Sequence, residues 1–207
     1  WFQMLSGDDS ETARKMYEAD RAAGFSEPRA VPLKRRDGQF KVVEIATSLL
    51  GEHELWLIHD ITDRVASQER FRVLFEQSST ALVLYDETGI IDCNSSAVLL
   101  LEYEQKSDLL RKHPVDLSPK EQPDHHSSEE KGRQAEALAT EKGTQKFNWT
   151  FQTAQGRPVV TQVSLTPLKV SQRSAWLGEW HDISERVAYE EGLKRARDSA
   201  LQFAKAK

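Results

Sequence analysis

His59-Asp60-Ile61-Thr62-Asp63-Arg64-Val65-Ala66 returns 122 residues later as His181-Asp182-Ile183-Ser184-Glu185-Arg186-Val187-Ala188. Upstream of each copy runs the same grammar: a polar turn at Asp37-Gly38 or Gln155-Gly156, an alternating strand, then a second strand rich in apolar and aromatic residues. A period this long marks repeated domains rather than a short-period solenoid. The 207 residues leave room for two ordinary domains.

The later copy reads in full between about Gln68 and Val187. Phe71, Leu74 and Phe75 stand three and four apart on a short amphipathic helix, and Ala81-Leu82-Val83-Leu84-Tyr85 reads as a buried strand. Asp86-Glu87-Thr88-Gly89 turns the chain into Ile90-Ile91-Asp92-Cys93, which completes a hairpin. Asn94 is placed to cap a helix over Ser95–Leu101, since its side-chain oxygen can accept a first-turn amide. Ser107–Leu110 reads as a further helical turn, broken off by Pro114 and Pro119. Ser127–Glu141 is helical in composition, with Ala135, Leu138 and Ala139 on one side and Gly143 just past its end. Three strands follow: Phe147, Trp149 and Phe151 alternate with polar neighbours, as do Val159, Thr161, Val163 and Leu165, and Ala175–His181 closes the set. The expected class is α+β, a five-stranded antiparallel sheet with short helices on one face.

This order resembles the PAS family of sensory domains over nearly all of Gln68–Val187. The stretch Leu109-Leu110-Arg111-Lys112-His113-Pro114-Val115-Asp116-Leu117-Ser118-Pro119, with Gln122-Pro123-Asp124, looks like the family's loop-and-helix segment. Phe147-Asn148-Trp149 and the Gly156 turn match its next strand and hairpin. Asp182-Ile183-Ser184 resembles its Asp-Ile-Thr ending, with Ser in place of Thr. Each motif alone is weak; their order and spacing carry the resemblance.

The earlier copy is partial. Trp1–Ile61 offers a helical stretch around Ser10–Ala23 and strands near Arg29–Arg35, Gln39–Leu49 and Glu54–Ile61, without the opening hairpin. The resemblance makes it the second half of a PAS unit, and an uncovered sheet edge invites pairing with another chain. The domains expected are residues 1–66 as the end of a first unit, 67–78 as a linker helix, 79–183 as a complete second unit, and 184–207 as a signalling helix. The partial unit is expected to stay ordered against the complete one or a second copy.

The repeated motif sits where a strand ends and a helix begins. Asp60 with Asp63, and Asp182 with Glu185, have the spacing of a capping box with carboxylates at both positions, and negative charge favours a helix N-terminus. The plainer reading stops at a helix cap. The resemblance adds a signalling role for Asp60, Ile61, Thr62, Asp182, Ile183 and Ser184, through which a distortion of the sheet becomes a tilt or rotation of the helix.

In the last helix Arg186, Tyr189, Leu193, Ala196, Ala200, Phe203 and Lys207 repeat at steps of three and four, the spacing of a coiled coil. Only part of that seam is strongly apolar, so a weak parallel dimer is expected; the alternative is one amphipathic helix lying on its own domain. Residues 196–207 resemble the lead-in to the dimerisation helix of sensor histidine kinases, which implies a kinase output further along the polypeptide. Cyclic-dinucleotide enzymes and chemoreceptors use the same input modules.

Other chemistry is weighed and set aside. The His59-Asp60 and His181-Asp182 pairs lack the further ligands of a metal phosphohydrolase. His125-His126 is offered for haem, yet its setting reads as an exposed polar loop. Cys93, the only cysteine, lacks the Asn-Cys-Arg context of flavin-adduct sensors and reads as a small hydrophobe. Asn94, Trp149, Trp176 and Trp180 form a candidate ligand pocket, though such aromatics more often fill a core. There is no Gly-rich phosphate loop, Gly-x-Ser-x-Gly motif or nucleophile triad, so the chain is read as a regulatory segment and not an enzyme.

Composition agrees. With 38% hydrophobic and 29% charged residues the chain has the balance of a soluble globular protein, and a net charge of -5 argues against nucleic-acid binding. The longest apolar run, Ala97–Leu101, is far short of the roughly 18 residues of a membrane span, and no signal sequence opens the chain. Asn94-Ser95-Ser96 and Asn148-Trp149-Thr150 match the glycosylation pattern by chance on this reading. A cytoplasmic homodimer is expected, with a small-molecule ligand open and an output domain as partner; the cofactor is left unknown with none favoured, a haem- or flavin-binding sensor being the alternative, and membrane anchoring of the parent protein is left open.

Overall fold

A computed structural model describes residues 9–22, 27–170 and 172–205. The chain divides into two compact units, residues 1–73 and 74–207.

In the first unit α1 (Asp9–Ala22) precedes β1 (Arg29–Lys34), β2 (Phe40–Leu50) and β3 (His53–Asp60). The strands form an antiparallel sheet in the order β1-β2-β3. Alternate residues of β2, Val43 and Ile45, are buried, which follows from a sheet covered on one face. Part of that cover is α1: Tyr17 stacks on Trp56 with ring centroids 5.6 Å apart and its hydroxyl donates to Glu54 at 2.7 Å. Leu50, Leu55 and Leu57 are exposed, and among the described residues β3 is an edge strand.

Helix α2 (Thr62–Gln77) follows β3 after the single residue Ile61. The spacing of Phe71, Leu74 and Phe75 does not mark a buried face: Phe71 is 69% and Leu74 73% exposed, and no described residue of the helix is buried.

The second unit follows the expected order closely. Strands β4 (Ala81–Asp86) and β5 (Gly89–Cys93) form a hairpin, followed by α3 (Ser95–Leu100), α4 (Ser128–Lys142), β6 (Gln145–Gln152), β7 (Pro158–Val170), β8 (Arg173–Asp182) and α5 (Ser184–Lys205). The sheet is antiparallel in the order β5-β4-β8-β7-β6. The first hairpin therefore lies beside the last strand. Its core joins Val83, Tyr85, Trp149, Phe151, Val163, Leu165, Trp176 and Trp180 of the sheet to Ala97, Leu101, Leu109, Leu117 and Ala139 of the covering segments. Phe151 stacks on Trp180 at 4.1 Å and Tyr85 on Trp176 at 5.6 Å. Burying rings of this size removes about 150–250 Å² apiece from water and dominates such a core.

Three local readings change. Pro114 does not stop a helix; it opens a 3-10 turn, Pro114–Leu117, where its missing N–H costs nothing. The turn placed at Ser107–Leu110 is a 3-10 turn over Lys106–Asp108. Leu138 is 41% exposed, while Ala139 is fully buried, because the contact side of α4 is narrow.

Gly89 has a φ of +113°, and a Cβ there would sit 2.4 Å from the Arg111 carbonyl oxygen. The approach is close because Arg111 donates its N–H to the Ile90 carbonyl at 2.9 Å. Gly156, with φ +78°, has nothing within 4 Å of such a Cβ. Gly156→Ala is expected to cost about 1–2 kcal/mol from backbone conformation alone. Gly89→Ala adds an overpacking penalty of roughly 1–3 kcal/mol, so urea midpoints followed by tryptophan fluorescence should fall clearly further for it.

Candidate functional site

The repeated octapeptide builds the same joint twice. In the first, Ile61 donates its N–H to the Val42 carbonyl at 2.9 Å, and its own carbonyl accepts from Val65 N–H at 2.9 Å. One peptide unit therefore ends the sheet ladder and the next begins the helix. In the second joint Ile183 donates to Val160 at 2.9 Å and accepts from Val187 at 2.9 Å. Ile61 and Ile183 are both buried, which fixes the pivot in an apolar setting.

The hydroxyl that follows closes the joint. Thr62 Oγ1 accepts the Val42 N–H at 3.0 Å, and Ser184 Oγ accepts the Val160 N–H at 3.1 Å. The first helical residue is thereby bound to the same peptide position on the neighbouring strand that the isoleucine reaches. Asp60 Oδ1 accepts the Thr62 N–H at 3.0 Å and its hydroxyl at 2.5 Å, and Asp182 Oδ1 accepts the Ser184 N–H at 2.8 Å. The expected capping box is corrected here: each aspartate reaches the amide two residues on, because it is the last residue of its strand and lies one place before the cap.

The copies differ in charge. Lys41 Nζ lies 3.1 Å from Asp60 Oδ2, whereas among the described residues no ion pair reaches Asp182. The Thr62 hydroxyl and amide, with Lys41, hold the Asp60 carboxyl down at about 2, from an ordinary 3.8.

Asn94 is fully buried and belongs to backbone: Oδ1 accepts from Leu82 N–H at 2.9 Å and, as the cap of α3, from Ala97 N–H at 3.1 Å. Trp149 and Trp180 line a small cavity of about 30 Å³ with Tyr85, Glu136, Phe147 and Phe151; Asn94 and Trp176 are not on its wall. Trp176 instead stacks on Tyr85. The space admits about one water molecule, against roughly 300 Å³ or more for a typical cofactor site.

At the cavity wall Glu136 accepts from the Tyr85 hydroxyl at 3.1 Å and lies 3.4 Å from His113 Nε2. Burial pushes its carboxyl above the ordinary value, with His113 and Tyr85 opposing. Sequence reasoning missed this trio, whose members are 51 and 23 residues apart along the chain; the Tyr at the end of an apolar strand was its only signal. Cys93 is buried, and desolvation raises its thiol to about 11, which suits an inert core residue. His125 and His126 are exposed, as read. Among the described residues no group of three or more His, Cys, Asp or Glu is placed to hold a metal, and no helix is long and apolar enough to cross a membrane. On α5, Tyr189 and Leu193 are exposed, and so is Ala196; the side chains of Ala200 and Phe203, and Lys207, lie outside the described residues.

Two titrations follow. Asp60 is depressed in the folded state, so its contribution to stability is complete above about pH 3.8 and is lost as pH falls through about 2. Asp60→Asn should abolish that part of the acid dependence, read by thermal melting between these limits together with the NMR titration of the Asp60 carboxyl. Glu136 has the opposite sign: its raised value makes the charged form unfavourable, so stability declines as pH rises from 4.5 through the folded value. Glu136→Gln should remove that decline.

Comparison with known proteins bears on the second unit. A family model described as PAS domain matches residues 79–185. Among solved structures, a PAS domain from Colwellia psychrerythraea is 19% identical with a TM-score of 0.50, covering 58% of this chain and 98% of its own. A PAS domain of an HTR-like protein from Haloarcula marismortui is 18% identical with a TM-score of 0.49, covering 58% and 95%. A domain of a sensory box sensor histidine kinase/response regulator from Geobacter sulfurreducens is 19% identical with a TM-score of 0.45, covering 59% and 99%. No match was found among curated proteins. With the sheet order, the helical cover and the Asp-Ile-Ser joint, the family match establishes that this chain belongs to the PAS domain family.

Proposed function

We propose that the chain is the tandem PAS region of a signalling protein, a non-catalytic segment that dimerises and relays conformational change to an output domain of the same polypeptide. The observation that carries this reading is the joint made twice: Ile61-Thr62 and Ile183-Ser184 each bind the neighbouring strand and start a helix. Such a joint makes the direction of the helix depend on the last two strands. A change in sheet twist then becomes a change in α2 or α5, and signal means a shift between helix arrangements of similar energy. The exposed Tyr189 and Leu193, at coiled-coil spacing, give α5 the seam of a homodimer. A histidine kinase is the output domain that residues 196–207 fit, and the cytoplasm the setting of the dimer.

Sedimentation of the 207-residue chain should show a concentration-dependent dimer that Leu193→Asp weakens at least tenfold, about 1.4 kcal/mol. In Ser184→Ala, which removes a hydrogen bond worth about 1 kcal/mol, protection of the Val160 and Val187 amides should fall while that of Trp149–Phe151 is retained. A chain monomeric at every concentration refutes the dimer, and unchanged protection at Val160 and Val187 refutes the joint.

A further inference from the structure

The second unit is reached by α2, and the last turn of that helix is bonded with unusual density. The two N–H groups of the Asn94 amide are shared among three carbonyls, Phe75 at 3.0 Å and Thr80 at 2.9 Å, with Ser78 at 3.4 Å. Phe75 lies in the last turn of α2, and the other two lie in the bend before β4. Its oxygen meanwhile accepts from Leu82 in β4 and Ala97 in α3. One side chain thus touches a helix end, a bend, a strand and a second helix, and none of its capacity is left over.

Neighbours reinforce the same place. The Glu76 carboxylate accepts both the Ser95 amide and hydroxyl at 3.1 Å and pairs with Lys106 at 3.1 Å, which also reaches Asp92 in β5 at 2.5 Å. The Ser96 hydroxyl donates to the Ser78 carbonyl at 2.5 Å. Burial works against charge on Glu76, yet the Lys106 and Ser95 bonds hold its carboxyl below the ordinary value. The strand so gripped, β4, pairs directly with β8, Leu82 opposite Glu179 and Ala81 opposite Trp180, and β8 ends at Asp182 in the outgoing joint.

We propose that Asn94 is the positioning residue of an incoming joint, whose amide donors tie the end of α2 to β4 and α3 so that motion of α2 is delivered to the strand beside β8. This rests on the relay reading and supplies its input side. The two halves of the amide are separable. The oxygen holds Leu82 and Ala97, and so shapes the second unit itself, while the nitrogen reaches the Phe75, Ser78 and Thr80 carbonyls, of which Ser78 and Thr80 also accept from the Ser96 and Ser78 hydroxyls.

Asn94→Asp keeps the accepting oxygen and places a second oxygen against three carbonyls at neutral pH. Protonation restores one donor, near pH 4 for an ordinary aspartic acid and higher when it is buried. By NMR, protection factors of the Phe75–Gln77 amides should fall about tenfold or more at pH 7 and recover as the pH is lowered through that titration. Trp149–Phe151 should keep its protection throughout. A variant destabilised only globally would lose protection everywhere at once, and that result overturns the assignment, as does unaltered protection at Phe75–Gln77. Should Asn94→Asp fail to fold, Glu76→Ala leaves the buried amide in place and should still loosen Phe75–Gln77 severalfold; protection equal to the parent chain's would again overturn the joint. The outgoing joint is read separately at Val160 and Val187 in Ser184→Ala, so failure of the relay and failure of the Asn94 assignment give different patterns.

Discussion

A hydroxyl bound to the main chain of a neighbouring strand fixes where each helix starts. Without it, the isoleucine would end the sheet with one peptide bond and the helix would leave on a single pivot. With it, Thr62 and Ser184 each add a second attachment to Val42 and Val160, the residues that Ile61 and Ile183 already hold. Two bonds to one peptide position define a direction, whereas one defines only a point. The aspartate ahead of each pair orients the hydroxyl residue by binding its amide, which places a carboxylate at the helix N-terminus as electrostatics favours.

The two copies solve this with different reserves. Thr62 donates its proton to Asp60 at 2.5 Å and Asp60 is further held by Lys41, so the first joint is charged and sensitive to acid. In the second joint the Ser184 hydroxyl lies 3.4 Å from the Val160 carbonyl, as the Thr62 hydroxyl does from that of Val42, but Val159 precedes Val160 where Lys41 precedes Val42. The second joint relies on hydrogen bonds and the buried isoleucine. In the complete unit the closing strand is also gripped from its other side by β4, while among the described residues β3 has only β2.

Much of this was legible in the sequence because it depends on periodicity. Alternation in Phe147–Phe151 and Val159–Leu165 gave strands with a covered face, and the octapeptide repeat placed both joints to the residue. The cap at Asn94 was legible too, since an asparagine before a short apolar helix has one obvious use. Its other bonds were not, because they depend on the bend at Ser78–Thr80 returning beside it. Gln122 shows the same limit: it looks like a loop residue, yet it is buried, accepting from Thr150 N–H at 2.8 Å and donating to Ser128 at 2.7 Å. The spacing of the aspartates suits a capping box, but spacing does not say whether the strand has already ended. The Tyr85, His113 and Glu136 trio assembles from three separate segments, so no local pattern announces it.

The direction of α5 is the quantity on which the account stands. Spin labels at Lys146 on β6 and Glu190 on α5, both exposed, report that direction as a distance distribution. A single narrow distance in the parent chain that broadens markedly in Ser184→Ala is the predicted result. A distribution equally broad in both would mean that the helix leaves the sheet without a fixed course, and the hydroxyl clamp would then explain nothing about signalling.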